Sequence, residues 1–455
     1  MTQPAPPLCR AAALDAEWAR IDHLLALAEA ARRGETLDEA FSAGFAAVAD
    51  AVRAGRGGGA WIGLAEGLEA SLAGSFLHLD LDLLALALAP DARPGLGQRL
   101  HALQPQSGTP YPGLALLEEL LMLQDTAEVA ALYERLGPTA PLAAARLIQV
   151  AGDGPYQMVR ATPLAQRLAL GYVADLAPPP GAHPQPRRGR WADLVLPEVT
   201  LRQLRDFAAW LRHGERVRSW GVRSTGGPLA LFSGGSGTGK SFAASVIAAE
   251  LSAATGESWA LYTLDLGRVM SKYVGETEEN INRLLDALDG RRAILQVDEA
   301  DGLLGKRGEV TDARDRYANL EVSHLLSRFE RHDGPVILTS NMRANIDAAF
   351  LRRFQMVVDF PAPDAAARAM LWARLLPPGA PRDPALNLDE LADAVRLSGG
   401  SIQNAAHYAA VLAAEAAQPL APAHLARAVW AELGKESREV RRSEIGALAH
   451  HLEDA

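Results

Sequence analysis

One octapeptide constrains this chain more than anything else in it: Gly234-Gly235-Ser236-Gly237-Thr238-Gly239-Lys240-Ser241. It fits G-x-x-x-x-G-K-[ST], follows the apolar run Leu229–Ser233 and opens an alanine-rich stretch with helical spacing. A strand, a glycine-rich turn and a helix in that order place successive backbone N–H groups around phosphate oxygens. Glycine allows both the close approach and the dihedrals this needs. Lys240 is then placed to neutralise the β- and γ-phosphates and Ser241 to bind Mg²⁺, with the positive end of the helix behind them. The motif therefore predicts a nucleoside triphosphate site built on an α/β sheet.

The surrounding sequence agrees. From Trp191 onward short apolar runs alternate with helical patterns, at Leu229–Ser233, Trp259–Leu264, Ala293–Val297, Val336–Ser340 and Met356–Phe360. Five such runs separated by helices predict a parallel five-stranded sheet covered on both faces, spanning residues 191–361. After Pro361 the strands stop, and helical patterns fill residues 362–455, broken at Leu376–Pro384. Residues 1–176 are rich in Ala and Leu at helical spacing, as in Trp18-Ile21-Leu25 and Leu114-Leu117-Leu120-Leu121, and predict a mainly helical domain. Between them residues 177–190, APPPGAHPQPRRGR, read as a linker without helix or strand.

Two of the other runs end in polar residues that suit phosphate chemistry. Ala293–Val297 delivers Asp298 and Glu299; the first can orient Mg²⁺ and its water, the second can polarise an attacking water. Val336–Ser340 ends at Asn341, whose neutral amide can hold that water without competing for the metal.

These elements, taken in order, resemble the AAA+ ATPases, a P-loop NTPase fold with a C-terminal helical lid. The resemblance implies ATP as the nucleotide and a homo-oligomeric ring, by family habit a hexamer. Ser271-Lys272-Tyr273-Val274-Gly275-Glu276 is similar to the first pore loop of the clade containing katanin and spastin, where an aromatic residue grips a polypeptide in the ring's channel. By the same resemblance Phe350-Leu351-Arg352-Arg353-Phe354 holds the arginines that act on a neighbouring subunit's γ-phosphate, with either Arg352 or Arg353 as the finger. Asp315-Arg316-Tyr317-Ala318-Asn319-Leu320-Glu321, Val297-Asp298-Glu299-Ala300-Asp301 and Gly305-Lys306-Arg307 narrow the match to the ATPases encoded with contractile, phage-tail-like injection particles. Members of that group carry a helical, partly winged-helix-like N-terminal region, which Phe76–Leu121 resembles. The implied client is a polypeptide such as a sheath, tube or terminator component. In the lid, Gln403 stands where this group is expected to have a second arginine sensor.

Charge separates the function classes. With 45 basic against 55 acidic residues the net charge is −10, which disfavours a broad embrace of nucleic acid. A protein-remodelling ATPase is the leading reading. A nucleic-acid motor or loader, supported by the short Arg187-Arg188-Gly189-Arg190 run, and an assembly scaffold that hydrolyses little stay open beside it. A single cysteine, Cys9, excludes a disulfide framework within the chain. The longest apolar stretch, Phe76–Pro90, is broken by His78, Asp80 and Asp82, and no secretory signal is read, so the expectation is a cytoplasmic protein without a membrane partner.

Overall fold

The computed structural model describes residues 7–152, 154–173, 177–222, 226–264, 266, 276–301, 323–341, 346, 348–435 and 441–452. The chain divides into two units. One comprises residues up to Pro179 together with His213–Ser224 and Arg283–Arg291; the other comprises Pro180–Arg212, Thr225–Asn282 and Arg292–Ala455.

The first unit is built on helices, among them Asp15–Arg33, Glu39–Gly57, His78–Ala92 and Pro94–Leu103. His78–Ala92 is apolar all round, and every residue from Leu83 to Ala89 is fully buried, so it serves as the central post of the unit. Its acidic residues survive burial by pairing. Asp80 accepts a hydrogen bond from the Leu77 N–H at 2.7 Å and is ion-paired with Arg135. Arg56, on Glu39–Gly57, bridges Glu17 and Asp82 at 2.7 and 2.6 Å, while the Trp61 indole N–H also donates to Glu17. Among the described residues of this unit one hairpin interrupts the helices: β1 (Ile148–Ala151) pairs antiparallel with β2 (Met158–Ala161).

In the second unit all five apolar runs form strands: β4 (Leu229–Ser233), β5 (Ala260–Leu264), β6 (Ala293–Val297), β7 (Val336–Ser340) and β8 (Met356–Asp359). Every residue of β4, β6 and β7 is buried, which explains why they read as unbroken apolar runs rather than alternating ones. The sheet differs from expectation in having six strands and mixed direction. The added strand, β3 (Ala182–Gln185), runs antiparallel to β5 at the edge of the order β3-β5-β6-β7-β4-β8, whereas all the other pairings are parallel. That strand lies inside the stretch read as a linker. Its Pro184 cannot donate to a ladder, but an edge strand tolerates that loss. Beyond β3 the chain is tied to the helix after the glycine-rich loop, where Ser245 Oγ donates to the Pro186 carbonyl and accepts from the Arg188 N–H, each at 2.8 Å.

One face of the sheet packs Phe232 between Phe207, from the helix Glu198–Ser219, and Phe360, with ring centroids 6.2 and 5.3 Å away. Following β8, the helices Ala365–Leu375, Leu388–Ala394, Gly399–Glu415 and Pro422–Gly434 gather around the fully buried Trp372. Among the described residues no helix is long and apolar enough to cross a membrane.

Candidate nucleotide-binding site

Sheet order brings the predicted residues together. β6, β7 and β4 are neighbours, and the register pairs Ser233 of β4 with Ser340 of β7 and Val297 of β6 with Leu338 of β7. The residues just past each strand, Asp298, Asn341 and Gly234, therefore emerge at one carboxyl edge, where open α/β sheets place their ligands.

The loop from Gly234 to Gly239 is shaped by its glycines. Gly234 has φ +155°, and a Cβ there would lie 2.2 Å from the Phe360 carbonyl oxygen. Gly237 has φ +73°, and a Cβ there would lie 2.5 Å from Ser398 Oγ, at the start of the lid helix Gly399–Glu415. The contact is backbone-deep, because the Gly400 N–H donates to the Gly237 carbonyl at 2.9 Å. Gly235 and Ser236 are exposed between them, and Thr238 Oγ1 donates to the Gly235 carbonyl at 2.8 Å. Gly239 caps the helix Lys240–Thr255.

Lys240 is 8% exposed, and its Nζ donates to the carbonyls of Gly234 and Gly235 at 2.6 and 2.9 Å and to Asn341 Oδ1 at 2.9 Å. Burial pushes its ammonium below the ordinary lysine value of 10.5; Asp301, Asp298 and Glu299 pull in the opposite direction. Asp298 Oδ1 accepts from Gln296 Nε2 at 2.6 Å, Thr339 Oγ1 at 3.0 Å and Ser241 Oγ at 3.3 Å. Glu299 has φ +53°, a left-handed conformation that costs a non-glycine residue roughly 1–2 kcal/mol. Its N–H is held by Thr339 Oγ1 at 3.1 Å, and the next N–H, of Ala300, by the Thr339 carbonyl at 2.9 Å.

Arg352 and Arg353 lie in the turn between the short helix Ala348–Leu351 and β8, and they are not equivalent. Arg353 is half-buried and its Nη1 is 3.1 Å from both carboxylate oxygens of Glu330. Arg352 is exposed. Lys272, Tyr273 and Val274 lie outside the described residues, as do Gly305–Arg307 and Asp315–Glu321. Gln403 is exposed on the lid helix.

Residues 230–362 match the family model described as "ATPase family associated with various cellular activities (AAA)". This stretch is an AAA domain. Three relatives are similar to part of the chain. An uncharacterized AAA family ATPase of Sinorhizobium fredii is 29% identical over 174 residues, 38% of this chain and 50% of the relative. Human vacuolar protein sorting-associated protein 4A is 30% identical over 155 residues, 33% of this chain and 34% of the relative. Protein CdcH of Halobacterium salinarum is 26% identical over 187 residues, 40% and 24% respectively. The chain thus spans half or less of the length of these relatives.

The holding roles of several residues of the AAA domain's site had no sequence signal. Thr339 and Gln296, inside the apolar runs, and Asp301, read only as part of a family motif, hold Asp298, Glu299 and Asn341, which follows from the register alone. Glu330 is 23 residues from Arg353, and only the fold joins them.

Proposed function

We propose that this protein is an ATP-hydrolysing remodelling ATPase that acts as a homo-oligomeric ring, by family habit a hexamer, on a polypeptide client. The observation that carries the reading is the convergence of Lys240, Ser241, Asp298, Glu299 and Asn341 at the adjoining ends of β4, β6 and β7. The residues fit a magnesium nucleotide. The backbone cradle from Gly234 to Gly239 is open to phosphate oxygens, and the Ser241 hydroxyl and Asp298 carboxylate are the hard oxygen donors Mg²⁺ prefers. Bound there, Mg²⁺ would neutralise charge on the phosphates. Glu299 polarises the attacking water, Asn341 holds it in line and Lys240 stabilises the leaving diphosphate.

In this scheme Arg352 is the arm that reaches a neighbouring subunit's nucleotide, and Arg353, held by Glu330, sets the turn that presents it. Tyr273, flanked by Lys272 and Val274, grips the client from the pore loop, as the sequence resemblance implies. The same resemblance supports the finer reading that the client is a sheath, tube or terminator component of a contractile injection particle, met in the cytoplasm. We divide the chain into a helical N-terminal domain (1–176), a connecting segment (177–190) that lends β3 to the sheet, the AAA α/β domain (191–361) and the lid (362–455).

The test is a trap. Glu299→Gln protein, loaded with ATP and Mg²⁺, is isolated from its own source and its cargo identified by mass spectrometry. Particle proteins held only with ATP support the full reading. Nuclease-releasable nucleic acid would replace it with the motor on DNA or RNA, and a nucleotide-bound oligomer with no cargo would favour the scaffold.

A further inference from the structure

The turn after β6 and the end of β7 are clasped together. Thr339 holds Asp298 and the Glu299 N–H, as described above. In return Asp301 holds the two residues that follow: Ser340 Oγ donates to its Oδ1 at 2.6 Å, and the Asn341 N–H donates to its Oδ2 at 3.1 Å. Both carboxylate oxygens are thus spent on consecutive residues of one backbone. Ser340 is fully buried, so its bond is not shared with bulk water.

We propose that Asp301 is a positioning residue for hydrolysis, fixing the backbone at Asn341 so that the side-chain amide stays aimed at the phosphate end of Lys240. This rests on the reading of Asn341 as the group that holds the attacking water. The physical case is one of leverage. Asn341 is the first residue past β7, beyond the ladder that fixes Ser340 against Ser233. A charge-assisted pair of bonds from one rigid carboxylate sets both the position and the tilt of that peptide, which two separate neutral acceptors would do less well. The Asn341 amide is the partner of Lys240 Nζ at 2.9 Å, so a swing of its backbone moves it away from the site. Misplacement of a reacting group by about 1 Å can cost on the order of 100-fold in rate.

A bland alternative is that Asp301 merely supplies negative charge near Lys240, in which case its loss weakens nucleotide binding. Two measurements separate the two: kcat for phosphate release, and Kd for a non-hydrolysable ATP analogue with Mg²⁺. Asp301→Ala is expected to lower kcat about 10- to 100-fold while Kd moves less than about threefold. Ser340→Ala, which keeps the grip on Asn341 but loosens Asp301, is expected to lower kcat by less than Asp301→Ala, and it serves in its place if that variant fails to fold. The deciding experiment is the double variant with Asn341→Ala. If Asp301 acts through Asn341, adding Asp301→Ala or Ser340→Ala to Asn341→Ala causes no further loss of kcat. Losses that multiply, or a loss confined to Kd, would overturn the proposal. Glu299→Gln measured alongside keeps the two readings distinct: if it retains full turnover the hydrolytic reading fails, whereas if it is dead and Asp301→Ala is as active as the parent, only the positioning role fails.

Discussion

Thr339→Val is the sharpest perturbation of the AAA domain's site, because it changes two hydrogen bonds and almost no volume. Thr339 is 3% exposed, so its hydroxyl has no water to fall back on. The bond to Asp298 involves a charged acceptor and is worth about 1.5–3 kcal/mol, and that from the Glu299 N–H about 0.5–1.5 kcal/mol. The second bond also props Glu299 at φ +53°, a conformation that costs roughly 1–2 kcal/mol. Without the prop the turn relaxes, and each 1–2 kcal/mol of preference for the relaxed form depletes the working orientation roughly 5- to 30-fold. The variant should therefore lower kcat for phosphate release at saturating ATP by about tenfold or more, while nucleotide affinity, set by Gly234–Ser241, changes little. Thr339→Ser keeps the hydroxyl and should recover most of the rate. A Thr339→Val enzyme with parental kcat, or one that loses affinity but not rate, would refute the argument that this hydroxyl holds the catalytic turn.

The remaining predictions address other parts of the chain. Arg352→Ala should reduce turnover per site and abolish its rise with protein concentration, and a trace of Arg352→Ala mixed with Lys240→Ala subunits should regain activity; Arg353→Ala and Glu330→Gln should resemble each other and combine without multiplying. Lys240 has its pKa lowered by burial, so the free protein releases this proton at a lower pH than an ordinary lysine, and phosphate oxygens favour its return. Nucleotide binding at alkaline pH should accordingly take up protons, seen as a calorimetric heat that varies with buffer ionisation enthalpy, and Lys240→Ala should abolish that dependence. In the first unit, Arg135→Ala strands the fully buried Asp80 and should cost about 3–5 kcal/mol, read as an early thermal transition; Asp80→Asn with Arg135→Ala should recover part of it.

Much of the fold was legible because burial on both faces makes a strand a plain apolar run: β4, β6 and β7 lie where such runs occur. The glycine-lysine loop was legible for a related reason, since its conformation demands residue types that few other structures need. β3 was not, because an edge strand with one covered neighbour needs no apolar run and can hold Pro184. A composition that excludes an interior strand does not exclude an edge one. In the site Lys240 meets Asn341 and Ser241 meets Asp298, whereas the holding roles of Thr339 and Asp301 were not legible. Thr339 and Asp301 owe their roles to β6 lying beside β7, a matter of register rather than of local sequence. The asymmetry of Arg352 and Arg353 likewise depends on Glu330, from the helix before β7.

The central claim is that Glu299 drives hydrolysis at a site that binds ATP without it. Its most direct test is a single-turnover experiment with Glu299→Gln, measuring bound ATP by filter retention and released phosphate in the same sample, with Mg²⁺ present. The account predicts parental ATP binding with phosphate release slowed at least about 100-fold. Phosphate release at the parental rate, or no ATP retained by either protein, would contradict it.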